Sequence, residues 1–190
     1  MNDDAELLER IRNGATDEFA EVVRRYQSRV FAILHRYERD AHRVQDLAQE
    51  TFVKAWRALA QFDGRAPFEH WLSRITSRVA LDHLRREKRR RNEVGLSELG
   101  ADVLDWLGDK TVADDTDEAD ARGAAELLDL ALRNLSPLDR AVITMQELEG
   151  RSVKEICEIT GASSVAVRVR ALRARGRLRR ALEKLAAREK

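Results

Sequence analysis

The chain has 190 residues, 43% of them hydrophobic and 36% charged, and its 35 Lys and Arg nearly balance 34 Asp and Glu for a net charge of +1. That length holds one ordinary domain or two small ones, and two prolines among so many charges point to an all-helical, soluble protein. One cysteine excludes a disulfide within the chain; with no run of eighteen apolar residues and no apolar N-terminal segment, membrane insertion is not expected and a cytoplasmic location is.

In chain order, the pattern predicts a helix from Asp3 to Arg12 that closes on Asn13-Gly14, then a long helix capped by Thr16 with Asp17 and Glu18 in its first turn. Phe19, Val22, Val23, Tyr26, Val30, Ile33 and Leu34 give that helix its buried face. A third helix covers about Val44 to Leu59. Ala48, Phe52, Ala55, Trp56 and Leu59 cluster on one side, and Asp46, Gln49, Glu50 and Val53 remain as a polar patch with one exposed aliphatic. Taken alone, such a patch reads as a solvated face before it reads as a binding surface.

Gln61 to Pro67 breaks the periodicity with Asp63-Gly64 and a proline, and a fourth helix follows from Phe68 to about Arg91. Trp71, Leu72, Ile75, Val79 and Leu84 point inward, and the helix ends in a basic run of Arg85, Arg86, Lys88, Arg89, Arg90 and Arg91. A loop beside a basic helix has the means to hold a single-stranded base.

Charge then changes sign. Between Ser97 and Ala121 there are nine acids against Lys110 alone, so the predicted organisation is an N-terminal helical domain at 1–92, an acidic flexible linker at 93–123 and a C-terminal domain at 124–190. Within the linker, Val103, Leu104, Trp106 and Leu107 fall at helical spacing between acids. They read either as a short docking segment folded back on one of the domains or as a transiently ordered stretch.

In the last domain, Ser136-Pro137 with Asp139 starts a helix that Gly150 ends, Ser152 and Glu155 form a capping box, and Gly161, Ala162 and Ser163 supply a turn. Cys157 is expected to be a buried thiol on the intervening short helix. The helix from Ser164 carries only arginine as charge until Glu183, with Gly176 expected to soften it. Val167, Ala171, Ala174 and Leu178 form a narrow packing stripe. Val165, Arg168, Val169, Leu172, Arg173 and Arg179 lie opposite, offering guanidinium groups for guanine edges and phosphates and aliphatics for thymine methyls. This is the signature of a helix-turn-helix, against the plainer reading of an arginine-rich solvated face.

The stretches VQDLAQETFVKAW (44–56), FDGRAPFEHWLSRITSRVALDHLRR (62–86) and 135–175 together resemble a bacterial RNA polymerase sigma factor of the extracytoplasmic-function (ECF) group. The resemblance implies that Asp46, Gln49, Glu50 and Val53 dock on the clamp of the largest subunit of core RNA polymerase, with the flap of the second subunit as a further contact. It implies that Phe62, Asp63, Gly64, Arg65 and Phe68 receive a base flipped from the minus-ten element while Arg78, Arg85, Arg86 and Lys88 follow the opened strand. It further implies that Ser164, Val165, Arg168, Val169, Leu172, Arg173 and Arg175 read promoter DNA at minus thirty-five. An anti-sigma factor is implied as a partner, and no cofactor is.

Three positions depart from the family pattern: Arg78 stands where asparagine is usual, and Ala166 and Val169 replace the usual threonine and serine of the recognition helix. Arg78 cannot accept a hydrogen bond, so it alters base preference or meets phosphate. A free-standing helix-turn-helix regulator is the competing reading, and it has no use for the patch at Asp46, Gln49 and Glu50. An enzyme is not expected. There is no phosphate-binding glycine loop or nucleophile elbow, and His35, His42, His70 and His83 lack cysteine or carboxylate partners at metal-ligand spacing.

Overall fold

The computed structural model describes residues 3–93, 128, 131–132 and 135–186, and among these there are helices and turns but no strand. The chain divides into two compact units, residues 1–84 with 158–161 and residues 85–157 with 162–190. The acidic stretch from 94 to 127, including Val103 to Leu107, lies outside the described residues.

In the first unit, α1 (Asp3–Arg12) buries Leu7, Leu8 and Ile11 on one side. Thr16 does not cap the next helix. Thr16–Glu18 is a 3-10 turn that leads straight into α2 (Phe19–Leu34), and its own short-range bond, Glu18 N–H to the Ala15 carbonyl at 3.0 Å, serves an amide that a cap would otherwise satisfy. Along α2, Val22, Val30, Ile33 and Leu34 are buried as expected, whereas Phe19, Val23 and Tyr26 are half-buried. It packs on α3, which begins at Ala41 rather than Val44 and ends at Ala58. The earlier start follows from Asp40, whose carboxylate accepts from the N–H groups of His42 (2.9 Å) and Arg43 (3.1 Å).

The long helix α4 (Phe68–Glu93) enters the core with Leu72, Val79, Ala80, Leu81 and Leu84, and also with Ser73, Thr76 and Ser77. Thr76 and Ser77 donate back to the carbonyls of Leu72 (2.9 Å) and Ser73 (3.0 Å), so these hydroxyls are satisfied where they are buried. Trp71 and Ile75 are only half-buried. His83 is buried, and its Nε2 lies 2.9 Å from Glu38, a residue brought close by the fold and not by sequence spacing. Glu38 also accepts from the N–H groups of Arg39 (2.8 Å) and Asp40 (3.0 Å). The His83 hydrogen bond, helped by these amides and opposed by burial, lowers its carboxyl from 4.5 to about 2.

In the second unit, the Ser136 hydroxyl accepts from Asp139 N–H at 3.2 Å and caps α5 (Pro137–Ile143), with proline in its first turn. The helix does not continue unchanged to Gly150. It widens into one π-helical turn at Thr144–Leu148, and the extra residue re-phases the chain so that Met145 stays fully buried while Glu147 is exposed.

The capping box of α6 (Val153–Thr160) forms in both directions, Glu155 N–H to Ser152 Oγ at 3.3 Å and Ser152 N–H to the Glu155 carboxylate at 3.0 Å. Cys157 is half-buried, not buried. Gly161, with φ of +74°, makes the left-handed turn that side chains resist, and Ser163 Oγ then accepts from Ala166 N–H at 3.2 Å to start α7 (Ser164–Ala186). Val167, Ala171 and Ala174 are buried and Leu178 half-buried on the stripe that faces α5 and the cluster of Leu132, Leu135 and Ile143. The helix runs through Gly176 without interruption.

Candidate nucleic-acid interface

On α3, the core side is taken by Val44, Leu47, Ala48, Thr51, Phe52 and Ala55, which leaves Asp46 and Gln49 exposed, Glu50 half-buried and Val53 41% exposed on the other side. Glu50 is tied to Lys54 at 2.8 Å, one turn on. Trp56, expected in the core, is 39% exposed and touches Phe19 edge-on at a centroid distance of 5.0 Å. Seven residues beyond Gln49 and three beyond Val53, it shares their helix face, so helical spacing alone gives it a place in the patch.

Between the 3-10 turn Leu59–Gln61 and α4, the loop tip formed by Asp63, Gly64 and Arg65 is exposed. Gly64 takes a left-handed φ of +73°, and Asp63 accepts from Arg65 N–H at 3.1 Å, so the turn is built from its own polar groups. The aromatics beneath it are structural. Phe68, expected to meet the flipped base, is 3% exposed and packs on Phe62 (5.4 Å), Trp71 (5.3 Å) and Tyr26 (5.3 Å). It is the floor under the loop, because as the first residue of α4 it points into the unit. Burial, reinforced by the Asp4 carboxylate that accepts its hydroxyl, pushes the Tyr26 phenol well up. Phe62 is half-buried. Arg78, Arg85, Arg86 and Lys88 are exposed along α4.

On α7 the arginines divide into two sets. Arg170 (3.0 Å) and Arg177 (3.3 Å) both pair with Asp139, whose side chain is 8% exposed. Arg175 pairs with Glu147 at 2.5 Å, and Arg179 with Glu183 at 2.8 Å. Arg175, expected to meet DNA, is thus engaged at the re-phased π turn. Arg168 and Arg173 are exposed beside Val165 (67% exposed), Val169 (39%) and Leu172 (70%), an apolar and cationic surface on the side opposite the packing stripe. Arg179 is exposed as expected of that face, though tied to its own helix.

With this geometry in hand, the comparisons with known proteins converge. Sigma-70 region 2 matches residues 22–90, and Sigma-70 region 4 matches residues 125–178. The RNA polymerase sigma-H factor of Pseudomonas aeruginosa is 31% identical over 185 residues, covering 96% of this chain and 95% of that protein. The chain belongs to the ECF sigma factors. The ECF RNA polymerase sigma-E factor of Escherichia coli K12 is 32% identical over 175 residues, 90% of each chain. Among solved structures, CnrH in complex with the cytosolic domain of CnrY is similar with a TM-score of 0.58 and 27% identity, covering 94% of this chain and 96% of that one.

As a sigma factor, the protein directs promoter recognition and transcription initiation. Sigma factors are initiation factors and not catalysts, and the matched families are not enzyme families. Region 2 takes in most of α2, α3, the loop and most of α4, and region 4 takes in α5, α6 and the arginine helix as far as Leu178. No helix among the described residues of the sigma factor is long and apolar enough to cross a membrane, and no group of His, Cys, Asp and Glu among them is arranged to hold a metal ion.

Proposed function

We propose that this sigma factor binds core RNA polymerase through Asp46, Gln49, Glu50 and Val53 on α3, with Trp56 at the border of that surface. The observation that carries the reading is Val53, an aliphatic 41% exposed among acids and amides on a helix whose other side is fully packed. The loop tip of Asp63, Gly64 and Arg65, with Phe62 at its base, receives the extruded minus-ten base, while Arg78, Arg85, Arg86 and Lys88 follow the phosphates of the opened strand. Ser164, Val165, Arg168, Val169, Leu172 and Arg173 read the minus-thirty-five element in the major groove.

In the C-terminal unit, an apolar groove of about 440 Å³ lined by Leu128, Leu132, Ile143, Leu148, Leu178 and Leu182 suits a partner helix. It is the surface assigned to the polymerase flap. An anti-sigma factor is the partner assigned to the protein away from polymerase, supported by the family and by CnrH having been solved with the cytosolic domain of CnrY. The location in keeping with these partners is the cytoplasm.

Capture of core RNA polymerase by the native chain and by the double variant Asp46→Arg, Gln49→Ala tests the reading. The native chain retains polymerase, and the double variant loses it while keeping its helix content and its affinity for duplex DNA. A native chain that ignores polymerase yet binds a two-fold symmetric duplex tightly would make the free-standing regulator the better account. Promoters are then selected from random duplex DNA by the reconstituted holoenzyme.

A further inference from the structure

Arg12, the last residue of α1, reaches across to the segment that leads into the loop. Its Nη2 donates to the carbonyl of Leu59 at 3.0 Å and to the carbonyl of Phe62, and its guanidinium carbon stands 5.7 Å from the centroid of the Phe62 ring. Phe62 is thereby held from two sides, because its ring also packs on Phe68 and Trp71, each with a centroid distance of 5.4 Å. Leu59 opens the 3-10 turn at the end of α3 and Phe62 follows it, and the Leu59 carbonyl also accepts from Phe62 N–H at 3.1 Å. One guanidinium ties both carbonyls together, and its charge over the ring adds a cation–π contact.

The Phe62 peptide is the last one before Asp63, so the direction in which its carbonyl is held sets the path on which the loop tip leaves the core. A loop that is already in its bound conformation does not spend binding free energy on being ordered. We infer that Arg12, outside region 2 as matched, is a positioning residue for strand capture: it preorganises the 62–67 loop for the displaced base. The inference rests on the loop role proposed above. It places the effect of Arg12 on promoter opening and on base preference at the captured position, and not on polymerase affinity or minus-thirty-five binding.

Holoenzyme made with the full chain is compared on one of the promoters selected above, with 2-aminopurine in the minus-ten non-template strand reporting opening. Arg12→Ala opens the promoter at least about tenfold more slowly and loses most discrimination among the four bases at the captured position, while polymerase and duplex affinities stay native. Arg12→Lys falls between the two, because an ammonium bonds a carbonyl but does not lie flat on a ring. Native opening and base preference in both variants overturn the inference. So does an equal loss of duplex binding, opening and thermal stability in both, which would make Arg12 a structural tie only. If Asp63→Ala with Arg65→Ala also opens DNA as the native chain does, the loop reading and the inference fall together, an outcome distinct from failure at Arg12 alone.

Discussion

Glu38 gathers His83, Arg43 and two backbone N–H groups around one carboxylate in the turn between α2 and α3. With its carboxyl held at about 2 in the folded chain against 4.5 ordinarily, it favours the folded state at every pH above the higher value. That contribution is lost as pH falls from about 4.5 toward 2, because in this window the unfolded chain binds a proton that Glu38 must release on folding. Chemical denaturation of the native chain across this window shows declining stability, and Glu38→Gln, which removes the titration, shows a shallower decline. A native and a variant chain with parallel profiles would count against this role. None of this was legible in the sequence, since Glu38 and His83 are 45 positions apart. The same holds for Arg12 and Phe62, 50 positions apart. Pairings of this kind depend on how helices approach each other, which periodicity does not report.

Helix termini were legible where a side chain serves an amide nearby in sequence, as at Ser136 and at the Ser152–Glu155 box. They were misread where two local solutions compete. Thr16 has the chemistry of a cap, yet a 3-10 turn satisfies the same amides, and Asp40, equally suited, starts α3 a turn before the apolar pattern does. The π turn carries no signature of its own, since its hydrophobic residues differ from those of an α-helix only in phase. On α4 the core includes Ser73, Thr76 and Ser77, which a search for apolar residues passes over. Gly176 illustrates a remaining cost inside an intact element: a Cβ added there meets nothing within 4 Å. Gly176→Ala therefore stabilises the C-terminal unit by up to about 1 kcal/mol through the lower entropy of the unfolded chain, read as a higher thermal midpoint.

The net charge of +1 says little about DNA affinity, because cations and acids are sorted along the chain and again within α7. On the proposed reading, Arg168→Ala with Arg173→Ala lowers the slope of log K against log salt for duplex binding by up to about 2, if both meet phosphates. Arg170→Ala with Arg177→Ala leaves that slope near native and instead lowers unfolding stability, because Asp139 loses both partners. Equal slopes for the two double variants, measured by titration over a range of salt, would refute the division. The two-domain helical plan and the surfaces of α3 and α7 were readable in advance because each is a repeat pattern within one helix. The assignment of individual arginines was not, because their acids arrive from α5 and the π turn. That division has a further consequence. The guanidinium groups that Asp139 and Glu147 occupy maintain the architecture, while Val165, Arg168, Val169, Leu172 and Arg173 bear little of it. On the proposed reading, exchange of the latter changes the promoter vocabulary and leaves the scaffold unaltered.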